Sequence, residues 1–402
     1  MDVRTELKFL QKIFILLRQY FVLPTSLTVF MRGRYIYLDN AATSFPKPGS
    51  VIRETTDFIK HAAGNPGRSG HSLSVLCGEK IYSVREKVAS LIGLSCPERV
   101  VFTSGATFAL NLAIKTSVRV GSHVLISDVE HNSVLRVVHA LKIRGIIDYS
   151  VFDSDDIENS IGGLIRNETT HIISTLASNV NGALINIYEL SRVAENFGLK
   201  LILDASQRLG HAPLTLSDVR FEALCCAGHK SLFGFSGVGF AVFGGEEYRE
   251  SFTEGGSGSD SKNLTMPQSL PERFEAGTLP LPAIISLGAG IDFINRKGLR
   301  NIEARLDRYT KELIEIISGM HGIKTCSGHS GIIMFAHKSL SSEIIAKRLD
   351  ECGIAVRGGF HCAPLAHKKL GTYEDGAVRI SLSFLNSEHD IKCFEKALHS
   401  II

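Results

Sequence analysis

No two of the eight cysteines in this 402-residue chain form a C-x-x-C pair, which argues against a zinc knuckle and against a thioredoxin-type redox pair. Nor does their spacing make a compact disulfide framework. The pattern fits a reducing, cytoplasmic compartment in which most thiols are small buried apolar groups, and it leaves room for one reactive thiol. No metal site is expected. A basic block of the kind that tracks phosphate backbones is also missing: 44 Lys and Arg stand against 41 Asp and Glu, a net charge of +3. Nucleic acid is therefore not an expected partner. The most apolar stretch, KFLQKIFILLRQYFVL near the start, is interrupted by Lys12, Arg18 and Gln19, so it falls short of a membrane span. It also lacks the small-residue cleavage site of a secretory signal. Residues 1–30 read best as an extension upstream of a working start at Met31, with an amphipathic surface helix as the second reading. Internal repeats and low-complexity tracts are absent.

What is present is length and core-forming material. At about 150 residues per domain the chain makes two or three packed units, and a hydrophobic share of 44% suffices for a sizeable core. From Arg99 onward the runs RVVFTS, HVLISD, THIISTL, LKLILDAS, ALCCAG and GVGFAVF read as strands, with helix-period stretches between most of them. Such alternation predicts an α/β fold with a doubly wound, mostly parallel sheet. Loops after parallel strands gather at the carboxyl edge of the sheet, where ligands bind. Residues 251–268 turn to Gly, Ser and Asn without periodicity and read as an extended loop. From Ala283 onward long amphipathic helices alternate with GIIMFA, GIAVRG and AVRISLS, which predicts a smaller α+β C-terminal domain. The expected division is 49–282 for the large domain and 283–402 for the small one, with 31–48 joined to the small domain.

Several residues in this frame point to chemistry. Lys230 lies in CCAGHKSLFGFSGVGF, flanked by Gly228, Gly234 and Gly237 between two apolar strands. Most lysines are solvated surface groups, but one held among apolar strands loses hydration, and its amine becomes the neutral nucleophile that attacks a carbonyl carbon. Asp204 closes the strand LILD. Alone it is as well read as a helix N-cap. Paired with Lys230, it suits a carboxylate that keeps a pyridine nitrogen protonated, which makes pyridoxal phosphate an electron sink. Gln207, three residues on, is placed to bond that cofactor's phenolic oxygen. In VVFTSGATFALNLA a small-residue turn leads into a helix, so the amides near Gly105, Ala106 and Thr107 form an anion site at its N-terminus. His131, in SDVEHNSV, also follows a strand, and its imidazole either stacks on a flat ring or caps the next helix.

Taken together, YLDNAATSFPKP, GNPGRSGHSLS, SGATFALN, DVEHNSV, SNVNGALI, LDASQ, GHK, RFEAGT and VRGGFHCAPLAHKKLGT occur in one order along the chain. From about Tyr35 to the C-terminus the chain resembles the class V, fold-type I pyridoxal-phosphate enzymes of the cysteine desulfurase and selenocysteine lyase family. The resemblance implies that Lys230 holds the cofactor as a Schiff base, Asp204 meets the pyridinium, Gln207 the phenolic oxygen, and His131 stacks on the ring. Ala106, Thr107 and His229 would bind the phosphate. A neighbouring subunit would complete that site through Ser257 and Thr278, so a homodimer with shared sites is implied. Asn179 and Arg379 match positions that hold the substrate carboxylate, for which a bidentate guanidinium is apt. Three features depart from the family pattern: Ala227 stands where many members carry a hydroxyl, Phe235 where proline is common, and SLSFLN after Arg379 matches only loosely.

Cys362 is the thiol that the count alone does not single out. Its Gly-, His- and Pro-bearing loop reads as exposed and mobile, and His361 and His367 would favour the thiolate, which is the nucleophile. By the resemblance it attacks the sulfur of bound L-cysteine, taking it as a persulfide and releasing alanine, with a protein sulfur acceptor to follow. Selenocysteine lyase, a class V aminotransferase with no need of Cys362, and a catalytically idle partner protein are the competing readings.

Overall fold

The computed structural model describes residues 35–66, 70–245, 250–258 and 262–402. The leading segment 1–30 and the middle of GNPGRSGHSLS lie outside these residues. In the large unit the strands are β2 (Val100–Thr103), β3 (Ser122–Ser127), β4 (Ile147–Phe152), β5 (Thr169–Thr175), β6 (Lys200–Asp204), β7 (Ala223–Ala227) and β8 (Gly239–Phe243). They form one sheet in the order β2-β8-β7-β6-β5-β3-β4, and β8 alone runs against its neighbours. Strands β2, β3, β7 and β8 are buried along their whole length, as expected where helices cover both faces of a sheet. Alternate residues go to opposite faces. Val101, Val124, Ile126, Ile173 and Ile202 pack with α3 (Ala106–Ser117) and α4 (Asn132–Ile143) on one side. Phe102, Leu125, Ile172, Leu201, Leu203 and Leu224 join the main core on the other.

Strand β4 is absent from the runs legible in the sequence. It is an edge strand whose interior residues Asp148 to Ser150 are half-buried and Val151 exposed, so IDYSVF shows no sustained apolar run. The described part of the stretch 251–268 carries neither helix nor strand, as its composition predicts.

Helices α1 (Gly49–His61), α2 (Ser72–Leu91) and α7 (Leu281–Lys297) pack together; α1 turns Val51, Thr55 and Phe58 inward at helical spacing. Helices α5 (Ile157–Leu164) and α6 (Ile187–Asn196) cover the far side of the sheet. A second, antiparallel sheet has the order β12 (Val378–Ser381), β10 (Ile332–His337), β9 (Ile323–His329), covered by α8 (Leu299–Ser318), α9 (Ser342–Glu351) and α11 (Glu388–Ile401). Ser387 and Asp390 start α11 with a reciprocal capping box. The short strand β1 (Ile36–Tyr37) pairs in parallel with β11 (Ile354–Ala355), which ties the first described residues to the C-terminal part.

Because β2 to β7 share one direction, their carboxyl ends meet at one edge. Ser104 and Gly105, Asp128 to His131, Thr175 to Asn179, Asp204 to Gln207, and Ala227 to Lys230 all emerge there.

Candidate active site

A cavity of about 380 Å³ opens at that edge. Ala106, Thr107, His131, Asn179, Asp204, Gln207, His229, Lys230, Cys362 and Arg379 all line it, so ten of the twelve residues singled out in the sequence converge. Ser257 and Thr278 do not. They line a separate cavity of about 370 Å³ beside Tyr82 and Arg85.

Each wall has a local cause. Helix α3 starts at Gly105 without a side-chain cap, which leaves its first amides available to an anion. Thr107 Oγ1 and Ser133 Oγ share a hydrogen bond of 2.9 Å beside it. His131 caps α4: its Nδ1 accepts from the Ser133 amide at 3.0 Å while its ring faces the cavity. The two readings of His131, ring-facing and helix-capping, are therefore compatible. Asp204 Oδ1 accepts from the Ser206 amide at 2.9 Å. Gln207 Nε2 donates to the Ala41 carbonyl at 2.9 Å, and its Oε1 is buried without a partner. No hydroxyl stands at 227, but Ser206 Oγ accepts from the Ala227 amide at 3.2 Å and lines the same cavity.

Burial sets the protonation states. It pushes the Lys230 amine below its ordinary range, against the opposing pull of Asp204. Burial, then the charge of Lys230, lowers His131 to about 4 and His229 likewise to about 4, so both are neutral imidazoles near pH 7. The His229 carbonyl accepts from the Ser44 amide at 3.1 Å, from Thr43 Oγ1 at 3.1 Å and from Lys47 Nζ at 2.9 Å, which fixes the backbone just before Lys230.

On the opposite wall Arg379 is 1% exposed. It donates to Asp39 Oδ1 at 2.7 Å and to the Asn179 carbonyl at 2.9 Å, and its Nε has no partner. Asn179 gives one N–H to the His361 carbonyl at 2.7 Å. Arg357, which the sequence reading missed, lines the same cavity, and its backbone pairs with that of Arg379. A second arginine in the loop after β11 leaves no local signal of its own.

Two expectations about Cys362 are corrected. Its side chain is exposed, but the loop is pinned rather than mobile: the Asn132 amide donates to the Cys362 carbonyl at 2.7 Å, and Asn179 holds the preceding carbonyl. His361 and Cys362 both adopt left-handed backbone, at φ 50° and 57°, a strain of about 1–3 kcal/mol each that such fixed neighbours sustain. Nor do the two histidines serve the thiol. His361 Nδ1 meets His367 Nε2 at 3.2 Å, His361 Nε2 meets the Arg357 carbonyl at 3.1 Å, and His367 Nδ1 meets Thr372 Oγ1 at 2.8 Å. Burial and the Arg379 charge hold His361 down to about 2, so it is uncharged.

Glu130, beside His131, is a second group that the sequence reading passed over. Its Oε1 accepts from Ser127 Oγ at 2.6 Å and from the Thr175 amide at 2.7 Å, while Oε2 is buried and unpartnered. Complete burial raises it to about 8 despite those two bonds. The folded chain thus holds this proton more tightly than the unfolded one, whose value is 4.5. Its stabilising contribution is full below about pH 4.5 and is lost as pH rises through about 8. In urea unfolding, Glu130→Gln is expected to flatten this fall in midpoint. Wild type and variant sharing one pH dependence would show that folding does not raise Glu130.

The family model described as Aminotransferase class-V matches residues 36–394. Among curated proteins, the chain is 33% identical over 387 residues to the "Probable cysteine desulfurase" of Methanothermobacter thermautotrophicus, spanning 91% of this chain and 94% of the other. It is 29% identical to a protein of the same name from Synechocystis sp., spanning 91% of each. Among solved structures, the apo cysteine desulfurase of Thermococcus onnurineus NA1 superposes with a TM-score of 0.83 at 27% identity, covering 92% of this chain and 94% of that one.

Proposed function

Since the chain belongs to the class-V aminotransferase family, and within it to the cysteine desulfurases, we propose that it uses pyridoxal phosphate to convert L-cysteine to L-alanine, taking the sulfur onto Cys362 as a persulfide. The observation that carries this reading is the convergence of a desolvated Lys230, Asp204 and His131 in one cavity with an exposed thiol at its rim.

The residues present fit that cofactor. Unpartnered buried atoms at Gln207 Oε1 and His229 Nδ1, together with the uncapped start of α3, leave polar groups that a phosphorylated, phenolic ring would satisfy. Lys230 would hold it covalently, Asp204 would meet its ring nitrogen, His131 would lie against the ring, and Ala106, Thr107 and His229 would hold the phosphate. When bound, pyridoxal phosphate supplies a sink for the electron pair left at the substrate α-carbon.

The protein does the rest. Arg379 would bind the substrate carboxylate through guanidinium donors not committed to Asp39, with Asn179's second N–H beside it. Lys230 Nζ, its proton affinity lowered by burial, would take the α-proton. The Cys362 thiolate would attack the substrate sulfur: an S–S bond forms, the Cβ–S bond breaks, and its electron pair stays on Cβ, which takes up a proton. Cysteine and enzyme thiol give alanine and enzyme persulfide with no external oxidant or reductant. A protein acceptor would then remove the sulfur.

Ser257 and Thr278, remote from this cavity on their own chain, would complete the phosphate site of a second copy in a homodimer. The cytoplasm is the compartment we assign, and no helix among the described residues is long and apolar enough to cross a membrane.

The test is to load the purified protein with pyridoxal phosphate, add cysteine and a thiol reductant, and follow absorbance, sulfide and alanine. Equal yields of sulfide and alanine are expected. An absorbance change without sulfide would favour an aminotransferase, and a faster reaction with selenocysteine a selenocysteine lyase.

A further inference from the structure

Helix α10 (Pro364–Lys369) begins two residues after Cys362 and ends on a lysine whose side chain is only 21% exposed. Its Nζ lies 2.8 Å from Asp128 Oδ2, 2.6 Å from Asp153 Oδ1 and 2.9 Å from Asp155 Oδ2, and donates to Ser154 Oγ at 3.0 Å. Asp128 follows β3 and the other three follow β4, so one ammonium gathers the loops at the ends of two adjacent strands. Ser154 stitches those loops as well: its amide and hydroxyl both donate to Asp128 Oδ1, at 3.2 and 2.6 Å.

We propose that Lys369 is a positioning residue that latches the Cys362 turn onto the carboxyl edge of the large sheet, and so holds the nucleophile in register with the substrate. This rests on the function proposed above. The latch closes a short circuit. From Cys362 the chain runs through α10 to Lys369, across to Asp128, and along the loop to Asn132, whose amide returns to the Cys362 carbonyl at 2.7 Å. The turn needs such support because two consecutive residues hold left-handed backbone. Local bonds, such as that from the Ala363 amide to the Phe360 carbonyl at 2.9 Å, close the turn but do not tie it to the sheet edge; that tie comes from Asp128, 241 residues from Lys369. Without the ammonium, three carboxylates on the two sheet-edge loops face one another uncompensated, and α10 loses its tie to that edge.

Lys369→Met keeps the aliphatic stem and removes the charge. In the cofactor-loaded, full-length enzyme, kcat for sulfide release is expected to fall roughly tenfold with KM for cysteine within about twofold, because the groups assigned to cysteine are untouched. Amide hydrogen exchange should rise about tenfold at residues 360–370 and stay unchanged in β10 and β12. Lys369→Arg should restore both. If Lys369→Met does not fold, Asp155→Asn removes one exposed carboxylate and should show the same local pattern, smaller. Exchange at 360–370 equal to wild type, or raised uniformly across the chain, would overturn the latch. Should wild type release no sulfide from cysteine, the proposed function falls, and the exchange comparison still decides the latch by itself.

Discussion

Cys362→Ala should bind pyridoxal phosphate and respond to added cysteine by absorbance as wild type does, yet release sulfide slower by a factor on the order of 10³ or more. The separation follows from geometry. Cofactor contacts assigned to Lys230, Asp204, Gln207 and His229 come from loops of the large sheet, whereas Cys362 enters from the C-terminal part and contacts that sheet through its backbone. Alanine keeps the Asn132-to-carbonyl bond, so the turn should persist. What disappears is the only exposed thiol lining the cavity: Cys225 and Cys226 are buried in β7, where burial pushes both thiols well up, and Cys352 lies elsewhere on the surface. Undiminished sulfide release by Cys362→Ala would sink the persulfide assignment, and a lost absorbance response would mean that the turn itself shapes the cofactor cavity.

Lys230→Ala is the companion experiment, with loss of covalent cofactor and a severe loss of turnover as the expected result. Two lysines near this edge have amines lowered by burial, Lys230 and Lys47, the latter to about 8. Position decides between them. Lys230 lines the cavity, whereas Lys47 does not, and its Nζ is committed to Ser44 Oγ at 2.7 Å and the His229 carbonyl at 2.9 Å. Borohydride treatment of the loaded wild-type protein should fix the cofactor on the peptide containing Lys230 alone. Recovery of label on the Lys47 peptide would overturn the assignment. Turnover in Lys230→Ala should drop by a factor on the order of 10³ or more, since one amine both anchors the cofactor and moves the α-proton.

Much of this was legible in the sequence because it is local. Six of the seven strands of the large sheet announce themselves as short apolar runs, and Asp204 and Lys230 stand out because one ends such a run and the other follows one by three residues. Strand β4 did not, being an edge strand with a half-solvated face. Other features were illegible because their partners lie hundreds of residues apart: the Asp39–Arg379 pair, the Asn132 hold on Cys362, and the carboxylates around Lys369. The expectation that His361 and His367 serve the thiol failed for a related reason. Sequence proximity placed them beside Cys362, but folding turned their rings toward each other and toward Arg357 and Thr372. Glu130 was passed over because a buried acid next to a histidine looks like any polar loop pair until its surroundings are known.

The pairing of Asp39 with Arg379 across 340 residues also sets an order of events during synthesis. The cavity draws its walls from Ala41 to Arg379, so no nascent chain that stops short of β12 contains a whole site. At about 5–20 residues per second, Lys230 leaves the peptidyl-transferase centre roughly 7–30 s before Arg379. During that interval the amine exists without the guanidinium that would select a carboxylate. Capture of a complete, selective active site therefore belongs to the finished chain, and a product truncated before Arg379 keeps an aldehyde-reactive lysine without the means to choose its substrate.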